Sequence, residues 1–319
     1  MQKTSAFGLL KETFQEWRDD DCLDLGAALA YYTIFSLAPL LLVVIALAGF
    51  FFGREAVQGQ IVGQLRGLVG EQGGEAIQTM IANAGRHGSG LLASIVAFIT
   101  ILFGATGVFG QLQKALNHIW DVKPKPGLGL KGLLKARALA FGMIVGIGFL
   151  LLVSLVVSTA LAALDDYLAG LFPGAAILLK ILSFVLSFAV VTVLFAMIYR
   201  VLPDVKISWQ DVWIGAAITA LLFTIGKYLI GLYLGHSSAA SVYGAAGSVV
   251  ILLLWVYYSA QILFFGAEFT QVYARHYGAQ IVPSENAELE REPGEKKKGG
   301  AEAPPRKSEQ PAARPVSTR

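Results

Sequence analysis

The sequence predicts an all-α, polytopic membrane protein with six transmembrane helices, and three observations carry that prediction. Six apolar runs, at 27–52, 91–112, 139–164, 174–199, 212–235 and 246–271, each reach the roughly 20 residues a helix needs to cross a ~30 Å hydrocarbon core. The chain is 55% hydrophobic and only 15% charged, against about 25% charged in ordinary soluble domains. Lysine and arginine are dense in alternate loops and sparse in the loops between them. Hydrocarbon supplies no water to free backbone groups, so helix is the open-ended structure left to such segments.

Residues 1–24 read as a cytoplasmic amphipathic segment. Phe7, Leu10, Phe14 and Trp17 recur at helical spacing opposite Lys11, Glu12 and Gln15, which predicts a short helix lying on the inner membrane surface. Asp19, Asp20, Asp21 and Asp24 follow. They are read as the N-cap and negative first turn of the first span, ahead of a cation site. The single cysteine, Cys22, excludes an intramolecular disulfide. The first apolar run is too long for a signal-peptide core, so no cleaved leader is expected.

The membrane domain is placed at 25–275. Its first span holds Pro39, which leaves the Phe35 carbonyl without a backbone donor and predicts a kink, with the Ser36 hydroxyl as a local substitute. Tyr31, Tyr32 and Thr33 make the preceding turn rich in hydroxyls and are expected to face the bundle. The outside loop, 54–90, is predicted to form two amphipathic helices. Val57, Ile61, Leu65 and Leu68 line the first and Ile77, Met80, Ile81 and Ala84 the second, with Gly70, Gly73 and Gly74 as hinge. Residues 276–319 hold six of the eleven prolines and almost nothing large and apolar. They are predicted to be a disordered cytoplasmic tail.

Orientation follows from the basic residues. Lys3, Lys11 and Arg18, the 114–137 loop, Arg200, Lys206 and Arg275 fall on one side, against only Arg54, Arg66 and Arg86 on the other. Both termini are therefore expected in the cytoplasm. The net charge of +3 is explained by this asymmetry and is no nucleic-acid footprint, so no nucleic-acid partner is expected.

With spans and loops placed, Leu25-Gly26-Ala27-Ala28-Leu29-Ala30-Tyr31-Tyr32-Thr33, continuing to Ser36-Leu37-Ala38-Pro39-Leu40, resembles the first-span signature of the YihY/BrkB family of bacterial inner-membrane proteins. Tyr243-Gly244-Ala245-Ala246-Gly247-Ser248, Leu254-Trp255-Val256-Tyr257 and Gly266-Ala267-Glu268 resemble its last-span block, and Asn117–Trp120 a third. The resemblance covers roughly 8–275. It implies a six-helix inner-membrane protein, linked by name to serum resistance and by proposal to lipid or lipopolysaccharide-precursor traffic. The family's older ribonuclease label finds no support in these residues.

Ionisable groups within spans are costly and usually face a cavity or a partner. Lys180, Lys227 and Glu268 are the three here. Lys180 with Ser183, and Lys227 with Thr224, form polar stripes on spans four and five; Gln111 extends one on span two, and Tyr257, Gln261 and Glu268 one on span six. Two readings stand side by side. Small and polar stripes permit close helix packing, with the lysines snorkelling and Glu268 pairing with Arg275 or Arg200. Alternatively they line a polar cavity in which Lys180 and Lys227 attract an anionic head group.

The expected function is a transporter or flippase of an anionic amphiphile such as a lipid or lipopolysaccharide precursor, with a non-catalytic scaffold or envelope assembly factor as the alternative. An enzyme is not expected. The four histidines are scattered, no nucleophile or phosphate-loop motif is present, and neither metal nor cofactor is called for. Gly142 and Gly146 suit either a homo-oligomer or internal packing.

Overall fold

A computed structural model describes residues 5–84, 107–126, 175–236, 247–278 and 282–290, with short stretches between 132 and 153. The helices are α1 (Ala6–Asp19), α2 (Cys22–Phe52), α3 (Arg54–Ala84), α4 (107–119), α5 (Phe141–Leu150), α6 (Ala175–Val201), α7 (Trp209–His236) and α8 (Gly247–Tyr277). Four of them contain segments long and apolar enough to cross a membrane: Cys22–Leu42, Leu179–Val201, Trp209–Tyr233 and Val249–Tyr277. These coincide with the expected spans one, four, five and six. Most of the expected spans two and three lies outside the described residues.

α1 begins where Ser5 accepts the Gly8 backbone N–H at 3.1 Å, satisfying one of the orphan donors of a first turn. Its aromatic side stays exposed, at Phe7, Leu10 and Phe14, while Leu9 and Thr13 are buried. The turn into α2 passes through Asp21, whose φ of 49° is left-handed for a residue with a side chain. Asp21 occupies the N-cap position as expected, but its carboxylate makes no capping bond. α2 then runs unbroken through Pro39. Ser36 is 3% exposed and faces Gly107 at the start of α4. Tyr31 and Tyr32, expected to face the bundle, are instead exposed, and Tyr31 packs on Phe35 one turn along. The buried stripe of α2 passes through Leu29, Ala30 and Ser36.

α3 is one helical element rather than two, yet it does not run straight. Arg66 donates to Gln78 at 3.1 Å. Twelve residues of straight helix would separate them by about 18 Å along the axis, so the chain turns back between them. Val57, Val62, Ile77 and Ile81, from both arms, bury against Leu41, Leu42 and Ile45 of α2 and Leu252 of α8.

α2 and α8 are antiparallel: Cys22 meets Glu268 at one end, and Leu42 and Ile45 share a cluster with Leu252 towards the other. α7 packs closely on α8 because small residues remove the side chains that would hold them apart. A Cβ on Gly266 would collide with Thr219 and Tyr199, and one on Gly215 with Thr270. The outward faces of α6 and α7 expose Ile177, Ile181 and Phe184, and Leu221, Ile225 and Leu229. That apolar band suits a lipid surround.

The segment after α8 departs from expectation. Residues 282–290 are ordered, as strands β3 (Val282–Pro283) and β4 (Ala287–Leu289). β4 pairs antiparallel with β1 (Val122–Pro124), and β3 with β2 (Val205–Lys206). The returning chain thus crosses the α4 loop and the α6–α7 loop. Backbone bonds hold it, among them Ser284 N–H to Asp204 O at 2.8 Å and Glu290 N–H to Asp121 O at 2.7 Å. Only Ala287 is buried. Apolar burial is therefore not what orders this segment, and composition pointed the wrong way. The rest of the expected tail, 291–319, lies outside the described residues.

Gly266→Ala is expected to lower stability by about 1–3 kcal/mol through overpacking. Gly231→Ala, where an added Cβ meets nothing within 4 Å, should be neutral or stabilising by up to about 1 kcal/mol. Unfolding midpoints of the two purified variants, measured in one detergent, check the contrast.

Candidate functional site

The polar residues gather at the end of the bundle where α1, α2, α4, α6, α7 and α8 have neighbouring termini. At its centre Glu268 is 0% exposed. The Cys22 thiol lies 3.6 Å from its Oε1, while Glu268 Oε2 has no hydrogen-bond partner among the described residues. Gln261, two turns earlier on α8, donates to the Cys22 carbonyl at 3.4 Å. Gly26 is the reason α8 can come so near, since a Cβ there would collide with the Gln261 amide.

Arg275 and Gln271 complete the α8 stripe. The Arg275 guanidinium donates to Glu16 at 2.7 Å and to Asp121 at 3.3 Å, and the Gln271 amide also reaches Asp121 at 3.3 Å. His276 meets Glu12 at 2.8 Å. α1 is thus fastened to the end of α8 along its acidic side. This corrects the expected partner of Glu268: Arg275 is engaged by Glu16 and Asp121, and Arg200 stacks over the Trp209 ring at 5.6 Å. Across α8, the Tyr199 hydroxyl donates to the Leu263 carbonyl at 2.8 Å and lies 3.0 Å from Thr219 Oγ1.

Beside this cluster is a cleft of ≈ 690 Å³. Lys114, Lys123, Lys125 and His118 line it together with the acidic Asp204 and Glu290, and Leu25, Leu139 and Val122 supply apolar surface. Asn117 shapes its floor by a two-way bond with Asp204, donating to its carboxylate at 2.9 Å and accepting its backbone N–H at 2.8 Å. Gln113 adds a further bond to Asp204 at 3.3 Å. Those bonds occupy the Asp204 carboxylate. Lys123 lies 3.8 Å from Glu288, and Lys125 donates to the Glu285 carbonyl at 2.8 Å. Among the described residues no carboxylate pairs with Lys114.

The residues singled out from sequence divide into groups. Tyr257, Gln261 and Glu268 lie along the face of α8 turned to the start of α2. Lys180 is exposed on α6 within the apolar band, the position of a snorkelling lysine rather than an inward one. Lys227 is half-buried, with its ammonium 5.4 Å from the centre of the Tyr228 ring. Ser183 and Gln111 are half-buried, and the Thr224 hydroxyl donates to its own helix at Ala220. Asp20, Cys22, Asp121, Gln271 and the Asn117–Asp204 pair were not anticipated as site residues. The spacing of Gln261, Glu268, Gln271 and Arg275 on one helical face was the available signal. Among the described residues no three His, Cys, Asp or Glu side chains converge as metal ligands.

Residues 13–290 match the family described as "Virulence factor BrkB". A UPF0761 membrane protein of Pseudomonas aeruginosa (strain LESB58) is 31% identical over 255 residues, 76% of this chain and 57% of that protein. UPF0761 membrane proteins of Pseudoalteromonas atlantica and Vibrio parahaemolyticus are 29% and 30% identical, covering 76% of this chain and 78% and 74% of theirs. The chain thus spans little more than half the length of the Pseudomonas relative. No solved structure matches.

Asp20 lies outside the spans, and burial pushes its carboxyl up to about 6; Asp121 and Glu16 add to the rise, while His118 opposes it. A raised folded-state value means that its contribution to stability is full below the unfolded value of about 4. That contribution is lost as pH rises through about 6. Asp20→Asn should therefore gain on the native protein between these limits. Thermal midpoints at about pH 4 and pH 7.5 are expected to show the variant relatively more stable at the higher pH.

Proposed function

The chain belongs to the BrkB family of integral membrane proteins, and we propose that it moves an anionic amphiphile, such as a lipid or a lipopolysaccharide precursor, between leaflets of a bacterial inner membrane. The single observation that carries this reading is the cleft beside α4, where Lys114, Lys123 and Lys125 stand next to Leu25 and Leu139. Ammonium groups beside apolar surface at the end of a bundle suit a phosphate-bearing head group with an acyl chain attached. The basic loops orient this end, and both termini, towards the cytoplasm. Substrate loading is therefore assigned to the inner leaflet, in place of the outer lysines. The exposed Phe7, Leu10 and Phe14 of α1 would lie in the head-group layer beside it. The reading assigns no catalytic step and no cofactor.

A scaffold or assembly factor is the second reading, favoured by the tight packing of α7 on α8 at Gly215, Gly226 and Gly266. A static bundle would use the ribbons and cleft as a docking face and need no moving parts. The two readings differ in whether lipid crosses.

The full chain in phosphatidylcholine vesicles, with a fluorescent phosphatidylglycerol probe quenched from outside, tests this directly. The native protein should expose inner-leaflet probe faster than protein-free vesicles do. Lys114→Glu combined with Lys125→Glu should slow that exchange by about tenfold or more, the effect of losing roughly 1.4 kcal/mol of head-group attraction. Exchange at the protein-free rate with native protein supports the scaffold reading instead.

A further inference from the structure

We propose that Glu288 and Glu290 of the returning chain are resident anions of the basic cleft, competing with an incoming head group for its cations. The proposal rests on the reading of that cleft as a head-group site. β4 pairs antiparallel with β1, and the register sets Glu288 opposite Lys123. Directly opposed side chains of a ladder share one face, and so do residues two apart along a strand. Asn286 and Glu290 stand two residues to either side of Glu288, and both line the cleft. The face that carries Glu288 is thus the face turned to the cleft.

Each glutamate stands near a basic group of the lining. Glu288 Oε1 lies 3.8 Å from the Lys123 ammonium, and Glu290 Oε2 lies 4.0 Å from His118 Nδ1. The ribbon holds Lys125 as well, but through its backbone, since that ammonium donates to the Glu285 carbonyl at 2.8 Å. The described lining carries the ammonium groups of Lys114, Lys123 and Lys125 and the carboxylates of Asp204 and Glu290. Glu288 brings a further carboxylate to Lys123. An anionic head group therefore meets cations that already have anions beside them.

The acids differ in how they are held. Asp204 accepts from Asn117, which is buried, and from Gln113, so it is a fixed part of the floor. The two glutamate pairs are long, and their side chains are about half exposed. Exposed pairs of this kind bind weakly and are screened by salt. A phosphate can displace them while the ribbon itself stays in place. Its backbone is tied independently, by Lys125 N–H to Asn286 O at 2.9 Å and Glu290 N–H to Asp121 O at 2.7 Å. The glutamate side chains thus set how readily the cleft accepts an anion, and the backbone around them keeps its shape.

The full chain in detergent micelles, titrated with dihexanoyl phosphatidylglycerol, tests this without any transport step; dihexanoyl phosphatidylcholine is the control of no net charge. Glu288→Gln combined with Glu290→Gln should bind the phosphatidylglycerol about fivefold more tightly than the native protein does, with no comparable gain for the phosphatidylcholine. Glu285→Gln removes a charge from the same ribbon but leaves the carbonyl that holds Lys125, and its affinity should stay within about twofold of native. Adding Lys114→Glu and Lys125→Glu to the double variant should abolish the gain. An affinity unchanged in the double variant, or raised as much by Glu285→Gln, overturns the proposal. If the lysine substitutions still weaken binding in that case, the head-group reading of the cleft stands without it. Binding that the lysine substitutions leave untouched overturns both.

Discussion

A carboxyl group on α8, buried and paired with no cation among the described residues, is the constraint around which the described end of the bundle is organised. Glu268 must find partners there, and each neighbouring element answers that need. Gly26 leaves room for the Gln261 amide of α8 beside α2, and the Cys22 thiol meets Glu268 just above it. Asp21 turns the chain through a left-handed conformation so that α1 can lie back over α8. Arg275 and His276 then hold α1 by its acidic side, which leaves the aromatic side free for a membrane surface.

A second polar clasp governs the loops. The Asn117–Asp204 pair ties the end of α4 to the loop after α6, and the chain leaving α8 returns across both as two short ribbons. The basic cleft exists because this return path is ordered. Its lysines are carried on α4 and on or just after β1, and Asn286 and Glu290, which flank β4, line it too. A membrane bundle alone would not have produced that concavity. The matching family extends to residue 290, the last described residue of the return.

How much of this was legible in the sequence depended on the length scale of the signal. Spans of about twenty apolar residues average over many positions, so four of them emerge where hydropathy placed them. The amphipathic pattern of α1 was equally plain, because four large residues share one face. Tyr31 and Tyr32 misled because a tyrosine ring is apolar over most of its surface, so its hydroxyl alone does not fix which face of a span turns inward. The ribbons were illegible: two or three residues carry no periodicity, and their stability is in backbone bonds to loops distant in the chain. Composition correctly marked 282–290 as poor in burial but was silent about those bonds. Glu268 stood out as an intramembrane acid, but Arg275 at the same helical face was a tempting and incorrect partner. Only the tertiary placement of α1 shows Glu16 and Asp121 engaging that arginine first.

The direct test of this arrangement is a cross-link between the start of α2 and the end of α8. Glu268→Cys places a thiol towards the native Cys22, whose sulfur is 3.6 Å from the Glu268 carboxylate, so a short bis-methanethiosulfonate cross-linker can join the two sulfurs. After treatment with that reagent in the membrane and cleavage of the chain between the two positions, the fragments should stay joined on a non-reducing gel and separate on reduction. Fragments that part without reductant, from a protein that still inserts and folds, would show that Glu268 is not buried against the α1–α2 turn.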